Sequence, residues 1–463
     1  MTTSHTLPPG PGGHWGIDTL MAFQRDPLTF FTGVRRSYGD IARVRMLGRD
    51  VVLFSRPEYA YYFLVDHAQN FSSGASRDLL KRFLGEALLT TDGEVHRRQR
   101  RLVQPAFHRK RVESYAATMT SQTQQMLDRW QVGDELDMAQ ALQELTLRII
   151  VQALFDVDLH EQGTAISQLF TMVVENNRPG PLSEALARLN VGPIKRAQAA
   201  RASLDEFVYG LIAQRRAEGR DHGDVLSMLL EARDEDGAPM SDVQLRDQAM
   251  TLMAAGHETT SNALAWTFYL LAHNPDTYDK LRAEVGEVLS GRTATAADLP
   301  QMPYLDAVIS EAMRIYPPAW TVNRTALEPF ELGGYHFPAG TRAIISQWVI
   351  HHLPEVWGDP ETFRPERWTP EFRQQLPRGA YFPFGAGPRI CIGMPLAEME
   401  ARLLLATMLQ RFTPRVVAGW PVEPRPRVTL RMRHGIRMRL EAAATLAPVA
   451  AAHAPEPQPG KSA

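Results

Sequence analysis

The feature that most constrains this chain is a stretch of about 30 residues with helical spacing and apolar residues on nearly every side. The pattern predicts a helix from Ser241 to His273. Ser241 followed by Gln244 is a capping-box pattern, and Asn274-Pro275 ends the helix. At about 1.5 Å per residue, such a helix spans roughly 45–50 Å. We therefore expect it to cross a large domain and to be buried on all sides.

The composition can supply the core that such a helix needs. Of 463 residues, 44% are hydrophobic and 22% are charged, which is ordinary for a globular protein. Lys plus Arg number 50 and Asp plus Glu 52, so the net charge of −2 gives no reason to expect nucleic acid as a partner. No charge-free apolar run reaches about 18 residues, and the N-terminus lacks a signal-peptide pattern. We expect a cytoplasmic monomer without a membrane span.

Periodicity elsewhere predicts a mainly α protein with small β-sheets. Helical spacing recurs at 111–130, 138–154, 197–218, 304–315 and 395–411. Residues 41–47 and 51–55 form a plausible hairpin, and a second small sheet is expected around 330–346. Residues 425–441 are interpreted as a closing strand pair that turns at His434-Gly435. One domain is predicted over 17–441, with disordered tails at 1–16 and 442–463.

The middle of the long helix breaks the rules of a buried helix. Residues 254–262 read AAGHETTSN. Buried polar groups cost several kcal/mol unless they are hydrogen-bonded, so roughly that cost is at stake here. Gly256 costs about 1 kcal/mol more than alanine. Violations of this kind concentrate at functional sites.

The single cysteine, Cys391, lies in the sequence FGAGPRICIG. Nearby glycines allow backbone N–H groups to point at the sulfur, and these are Gly385, Gly387 and Gly393. Arg389 adds positive charge, and a helix that starts near Pro395 adds the partial positive charge of its N-terminus. All these features favour an ionised sulfur.

Two other interpretations of Cys391 fit its surroundings less well. An inert, buried cysteine does not need the surrounding pattern of glycines and charge. A catalytic nucleophile needs a neighbouring base, and no histidine here lies in a recognisable cysteine-hydrolase signature. With one cysteine, an internal disulfide and a four-cysteine metal site are both impossible.

Four motifs together resemble the cytochrome P-450 family. The Cys391 loop is similar to its haem-binding signature, and AGHETT at 255–260 to its oxygen-activating motif. Glu311-Ala312-Met313-Arg314 matches the Glu-x-x-Arg helix, and FRPERW at 363–368 matches a later element, with Trp368 where phenylalanine is common. The motifs stand in the family's order, from about residue 26 to 441, so the resemblance implies a cytochrome P-450 fold.

The resemblance implies that haem b is the cofactor and that Cys391 is the iron ligand, whose thiolate favours O–O cleavage. It assigns a haem-packing role to Phe384, within a loop that includes Gly387 and Gly393. The haem propionates would be held by four basic side chains: His96, Arg100, Arg324 and Arg389. A buried ionic network that fixes the cysteine loop is implied for Glu311, Arg314 and Arg367.

The resemblance also implies roles for the polar centre of the long helix. Reductive splitting of O2 consumes protons. Glu258 would relay these protons from solvent, and Thr259 would hydrogen-bond the oxygen or an ordered water beside it. Ala255 and Gly256 would leave room for oxygen. The alternative is that the Thr259 hydroxyl bonds to a carbonyl of its own helix.

Substrate contacts implied by the family are apolar here, although each residue taken alone is more typical of core than of a ligand contact. They are Met250, Met253, Ala254, Ala255, Trp320, Val322 and Leu430. The set suggests a hydrophobic substrate such as a fatty acid, terpenoid or polyketide-like molecule. No reductase motif follows Cys391, so we expect NAD(P)H electrons to arrive through a separate ferredoxin or flavodoxin. Basic residues at 97–111 form either a solvated face or its docking site. A peroxide-driven hydroxylase and a non-catalytic haem sensor are the alternatives.

Overall fold

The predicted helical class is confirmed. The computed structural model describes residues 7–11, 15–74, 76–159, 162–176, 192–233 and 237–443. Eighteen α-helices lie within these residues. In chain order, α1 to α18 are Ile17–Arg25, Pro27–Tyr38, Pro57–Tyr61, Ser76–Leu84, Gly93–Val103, Arg109–Ser114, Ala116–Leu127, Met138–Phe155, Gln162–Asn176, Gly192–Glu218, Val225–Glu231, Asp242–His273, Pro275–Leu289, Pro303–Ile315, Gln347–His351, Pro354–Trp357, Pro370–Gln375 and Met394–Leu409.

Short strands form four small sheets within the same residues. In chain order, β1 to β12 are Ile41–Met46, Arg49–Phe54, Phe71–Ser72, Glu135–Asp137, Val322–Ala326, Phe330–Leu332, Tyr335–Phe337, Arg342–Ile345, Phe412–Val416, Pro424–Pro426, Leu430–Met432 and Arg437–Ala442. The largest sheet has the order β1-β2-β8-β5-β3, and the others are β4-β12-β9, β10-β11 and β6-β7. Within the largest, β2 and β8 are parallel and the other pairs are antiparallel.

The long central helix, α12, agrees closely with its prediction. Its capping box forms: Gln244 N donates to Ser241 Oγ at 3.3 Å, and Ser241 N donates to Gln244 Oε1 at 2.9 Å. The helix contacts α8, α10, α13, α14 and α18. Burial is continuous from residue 245 to 253 and again from 260 to 268. Neighbours on every side therefore satisfy the all-round apolar pattern.

Two hydrophobic clusters share the interior. The larger lies among the helices around α12. The smaller covers the five-stranded sheet and is rich in aromatic rings, such as Phe54 and Phe63 with ring centroids 4.6 Å apart. Pro9 O accepts a hydrogen bond from Arg43 N at 2.8 Å, so residues 7–11 lie along β1. The other predicted tail positions, apart from 15–16 and 442–443, fall outside the described residues.

Three local predictions differ from the structure. The β1–β2 loop is the two-residue Leu47-Gly48, both with positive φ, rather than 48–50. The helix predicted at 111–130 is broken at Tyr115. The closing strand pair was wrong, because β11 pairs with β10 whereas β12 joins β4 and β9 in another sheet. Alternating residues favour strands but do not specify their partners, since pairing depends on distant segments.

None of the helices described in the structure is both long enough and apolar enough to cross a bilayer.

Candidate active site

The loop around Cys391 is held by its own backbone. Cys391 N donates to Phe384 O at 2.9 Å, which closes the loop. Gly387 has φ +66°, and a Cβ there would lie 1.9 Å from Leu64 O. The close approach that requires this glycine is therefore to another part of the chain. Helix α18 begins at Met394, so its N-terminus points toward Cys391 as predicted.

Opposing influences act on the Cys391 sulfur. Burial raises the pKa of the thiol, and the backbone N–H groups of Gly393 and Met394 and the charge of Arg100 lower it. The net direction is upward, in contrast to the ionised sulfur expected from sequence. The cation that acts on the sulfur is Arg100, which approaches from α5 and donates to Ile390 O at 2.9 Å.

Arg389 bonds to the segment before α5, and its contact with a haem propionate stays a prediction. Its guanidinium donates to Thr91 O at 2.9 Å, to Asp92 Oδ1 at 3.2 Å and to Leu88 O at 3.3 Å. These bonds tie the cysteine loop to the segment before α5. Sequence proximity to Cys391 suggested a direct effect on the sulfur, but the side chain extends to a different part of the fold.

The site has the features that a thiolate-held haem needs. Cys391 is enclosed by protein, yet its surface is accessible, as expected for a side chain that faces an internal cavity. Ala255 is exposed, and Ala254, Gly256 and Thr259 are half-buried, in the middle of a helix that is buried from 245 to 253 and from 260 to 268. His96 and Arg100 lie one turn apart on α5, and Arg324 is buried on β5. A sulfur ligand and cations for propionates are thus present, so these residues fit the haem.

Glu258 is oriented away from solvent. It is buried and forms an ion pair with Arg431 of β11, with Arg431 Nε 2.7 Å from Glu258 Oε1. The Thr429 hydroxyl also donates to Glu258, and Asn262 Nδ2 donates to Thr429 Oγ1 at 3.1 Å. Burial raises the pKa of Glu258, but Arg431 and Thr429 outweigh it and hold the pKa below its usual value. Glu258 is therefore shielded from solvent in this structure, and its role in proton delivery stays a prediction.

Thr259 makes the intrahelical bond that was the alternative to oxygen contact. Its hydroxyl donates to Ala255 O at 2.7 Å. A hydroxyl oxygen retains acceptor capacity when its hydrogen is donated. Because the residue is also half-buried, the Thr259 oxygen remains accessible at the side of α12 that carries Ala255.

Gly256 is required for helix packing. A Cβ at this position would lie 2.8 Å from Cγ1 and 2.9 Å from Cδ1 of Ile150, on α8. The absent side chain therefore lets α8 and α12 approach closely. This contact between helices explains why position 256 is a glycine. The explanation does not depend on the space for oxygen that the resemblance implied.

Gly256→Ala should test this explanation. We expect a net loss of unfolding free energy of about 0–2 kcal/mol, since overpacking costs about 1–3 kcal/mol and alanine returns about 1 kcal/mol of helix propensity. Adding Ile150→Ala removes the contacting atoms, so the double variant should lose less than the sum of the single variants. Urea unfolding of the four proteins measures the coupling. Strict additivity would contradict the contact.

Glu311, Arg314 and Arg367 meet in a buried network. Both Glu311 oxygens accept from Arg314, at 2.9 Å each, and Glu311 Oε1 also accepts from Arg367 Nε at 3.0 Å. Glu311 and Arg314 are fully buried. Trp368 Nε1 donates to Glu311 Oε2 at 2.8 Å, so the tryptophan that departs from the family pattern adds a hydrogen bond to the carboxylate.

The network reaches the cysteine loop through His351. Arg314 Nη1 donates to His351 O at 2.9 Å, and His351 Nε2 accepts from Phe382 N at 3.2 Å. Burial lowers the pKa of His351 well below its usual value, so the ring stays neutral and can accept this bond. Phe382 is two residues before Phe384, whose carbonyl holds Cys391 N. The ionic network and the cysteine loop are therefore mechanically connected.

The residues predicted to contact substrate divide into two groups. Ala254, Ala255 and Val322 have accessible surface. Met250, Met253 and Leu430 have none, and Trp320 is buried with its Nε1 bonded to Arg427 O at 2.9 Å. Met250, Met253 and Leu430 are fully buried in this structure, and their contact with substrate stays a prediction.

Two residues of interest were missed from sequence. Leu89 is 42% exposed between the buried Leu88 and Thr90. Glu400 lies on α18 in the largely apolar run MEARLLLATML, where Glu400 and Arg402 are the two charged residues, and a carboxylate in such a run is a signal of a special environment. Burial raises the pKa of Glu400 to about 8, and the Thr260 hydroxyl opposes the rise. The raised pKa favours the protonated form of Glu400, whereas the lowered pKa of Glu258 favours its carboxylate.

Comparison with known proteins agrees with this geometry. The family model for cytochrome P-450 matches residues 8–434. Cyclooctatin synthase of Streptomyces melanosporofaciens is 38% identical over 431 residues, covering 92% of this chain and 93% of that protein. Pentalenene oxygenase of Streptomyces avermitilis is 32% identical, covering 95% of this chain and 99% of that protein.

Solved structures share the fold. A cyanobacterial CYP120A1 with bound retinoic acid superposes with a TM-score of 0.85 at 27% identity, covering 95% of this chain and 100% of the other. The cytochrome P-450DA haem domain gives 0.84 at 26% identity, covering 94% and 97%. Family match, fold and cysteine site agree, and the chain belongs to the cytochrome P-450 family of haem-dependent monooxygenases.

Proposed function

We propose that this enzyme inserts one atom of O2 into an apolar, terpenoid-like substrate, with electrons from NAD(P)H delivered by a separate ferredoxin and its reductase. The observation that carries the proposal is the enclosed, accessible sulfur of Cys391 with Arg100 beside it. The haem that this site would hold supplies oxygen activation. Cys391 would ligate its iron, and His96, Arg100 and Arg324 would bind its propionates.

An apolar substrate is supported by the accessible residues near the central helix. Ala254, Ala255 and Val322 offer small apolar surfaces without a charged group. Leu89 would add a larger one. Relatives of this chain carry names such as cyclooctat-9-en-7-ol 5-monooxygenase, which is 36% identical and covers 88% of this chain and 90% of that protein. Pentalenene and cyclooctat-9-en-7-ol are therefore the first compounds to assay.

The test is reconstitution with the haem-loaded enzyme. NADPH, a ferredoxin and a ferredoxin reductase are supplied with each compound, and hydroxylated product is measured by mass spectrometry with 18O2. One labelled oxygen atom per product molecule is expected. Unlabelled product, or no product across a panel of terpenes, fatty acids and macrolides that shift the haem spectrum, would contradict the proposal.

Thr259→Ala should separate oxygen reduction from oxygen insertion. Thr259 has the accessible hydroxyl on α12, so we propose that it guides protons to the oxygen being reduced. The variant should retain haem and consume NADPH, while product formed per NADPH falls by about tenfold or more and peroxide rises. Thr259→Ser restores the hydroxyl and should restore most of the coupling. Full coupling in the alanine variant would contradict the role.

A peroxide-driven hydroxylase is the second candidate. Glu258 is held in a buried ion pair by Arg431. A peroxide-driven enzyme would not need this carboxylate to deliver protons, so the ion pair is compatible with that alternative. Turnover with hydrogen peroxide alone, at a rate that added ferredoxin does not exceed, would favour this alternative. Turnover that requires the electron donor would reject it.

A further inference from the structure

Three consecutive polar residues near the start of α12 bind the backbone of a distant segment. Arg246 Nη2 donates to Phe83 O at 3.0 Å, Asp247 Oδ2 accepts from Glu86 N at 2.7 Å, and Gln248 Oε1 accepts from Leu88 N at 3.2 Å. All three side chains are buried. Arg246 also donates to the second Asp247 oxygen at 2.9 Å, so the carboxylate is neutralised where it is buried.

The same segment is held from its other side by the cysteine loop. We name residues 83–92 the bridge segment. Arg389 donates to Leu88 O, Thr91 O and Asp92 Oδ1. The bridge segment therefore connects the helix that carries Thr259 with the loop that carries Cys391, and α5 with its cations follows directly.

Packing inside the bridge segment leaves little freedom. Gly85 has φ +75°, and a Cβ there would lie 2.1 Å from the Asp247 carboxylate. Thr90 Oγ1 accepts from Ala87 N at 2.9 Å and donates to Gly85 O at 2.6 Å. Leu89 differs from its two neighbours in sequence, because its side chain is exposed whereas Leu88 and Thr90 are buried. The fixed backbone thus determines where one apolar side chain points.

We propose that Asp247 and Gln248 are positioning residues for the substrate side of the haem site, acting by holding the bridge segment so that Leu89 keeps one orientation. The proposal rests on the proposed function in assuming that Leu89 borders the ligand cavity. Plain stabilisation of a core would be achieved by apolar side chains. Here the adjacent side chains of Asp247 and Gln248 accept hydrogen bonds from two backbone amides of the bridge segment. These bonds fix the position of the segment along the central helix.

The direct test is amide hydrogen exchange in the haem-loaded protein. In Asp247→Ala the Glu86 amide, and in Gln248→Ala the Leu88 amide, should exchange about tenfold faster, since each loses a buried hydrogen bond. Asp242→Ala is the matched control, because Asp242 lies in the first turn of α12 and pairs with Arg216 at the surface. Unchanged exchange in both variants would overturn the clamp. Gln248→Ala removes no charge, so it remains informative if Asp247→Ala fails to fold.

A pair of ligands tests the link to the cavity. Imidazole and 4-phenylimidazole both bind haem iron, but only the phenyl ring extends into the space beyond it. In both clamp variants the Kd of 4-phenylimidazole should rise about fivefold relative to that of imidazole, because an unfixed Leu89 must be ordered on binding. If the amides exchanged faster but the ratio of the two Kd values did not change, the substrate role would be rejected. Absence of thiolate-haem spectra in the parent enzyme would reject the proposed function, whereas the exchange experiment would still decide the clamp.

Discussion

Cys391→Ser is expected to lower product formation by more than about a hundredfold, because even residues that merely orient metal ligands contribute about 10–100-fold. The N–H groups of Gly393 and Met394 and the charge of Arg100 favour the thiolate, in opposition to the burial that raises the pKa of the thiol. Serine oxygen is a poor substitute, since an alkoxide does not form at neutral pH. The reduced, carbon monoxide-treated variant should lack the red-shifted Soret band of thiolate-ligated haem. Difference spectroscopy and product assays measure the two effects.

The control is Ile392→Val, which changes the neighbouring side chain without removing a ligand. It should retain the red-shifted band. Circular dichroism should show that Cys391→Ser keeps the helical fold, since the loop is closed by the backbone bond from Cys391 N to Phe384 O. A serine variant that retains both the band and the activity would remove Cys391 from the site.

Glu311→Ala is expected to reduce the free energy of unfolding by about 3–5 kcal/mol, the cost of removing one partner from a buried ion pair. Arg314 and Arg367 would remain buried without their shared carboxylate. Loss of haem should accompany the loss of stability, because Arg314 holds His351 and His351 holds the Phe382 amide before the cysteine loop. Urea unfolding and the rate of haem transfer to apomyoglobin measure both effects.

Trp368→Phe provides a graded comparison. It removes one hydrogen bond to the same carboxylate and leaves both arginines paired, so the loss should be closer to about 1.5 kcal/mol. Haem transfer should accelerate less than in Glu311→Ala. If the two variants were equally stable, the network would not be the stabilising element that its burial implies.

Local patterns predicted the parts of this protein that depend on neighbours in sequence. The capping box and the Asn274-Pro275 stop defined α12 to within one residue, because helix termini are decided by a few adjacent side chains. The three-residue spacing of Glu311 and Arg314 placed both on one helical face. Glycines around Cys391 indicated a constrained loop, although they did not indicate that Leu64 O is the atom that Gly387 must avoid.

The orientation of the polar side chains was decided by tertiary structure. Glu258 meets Arg431, 173 residues later, and Gly256 meets Ile150 of α8. Arg100 acts on the sulfur from α5, Arg389 bonds to the segment before α5, and Met250, Met253 and Leu430 are buried. Thus the sequence alone determined the helical class and the family, whereas the tertiary structure determined the partners of these buried polar groups. The physical reason is that helical periodicity is a short-range property, but desolvated side chains are satisfied by whatever distant segment packs against them.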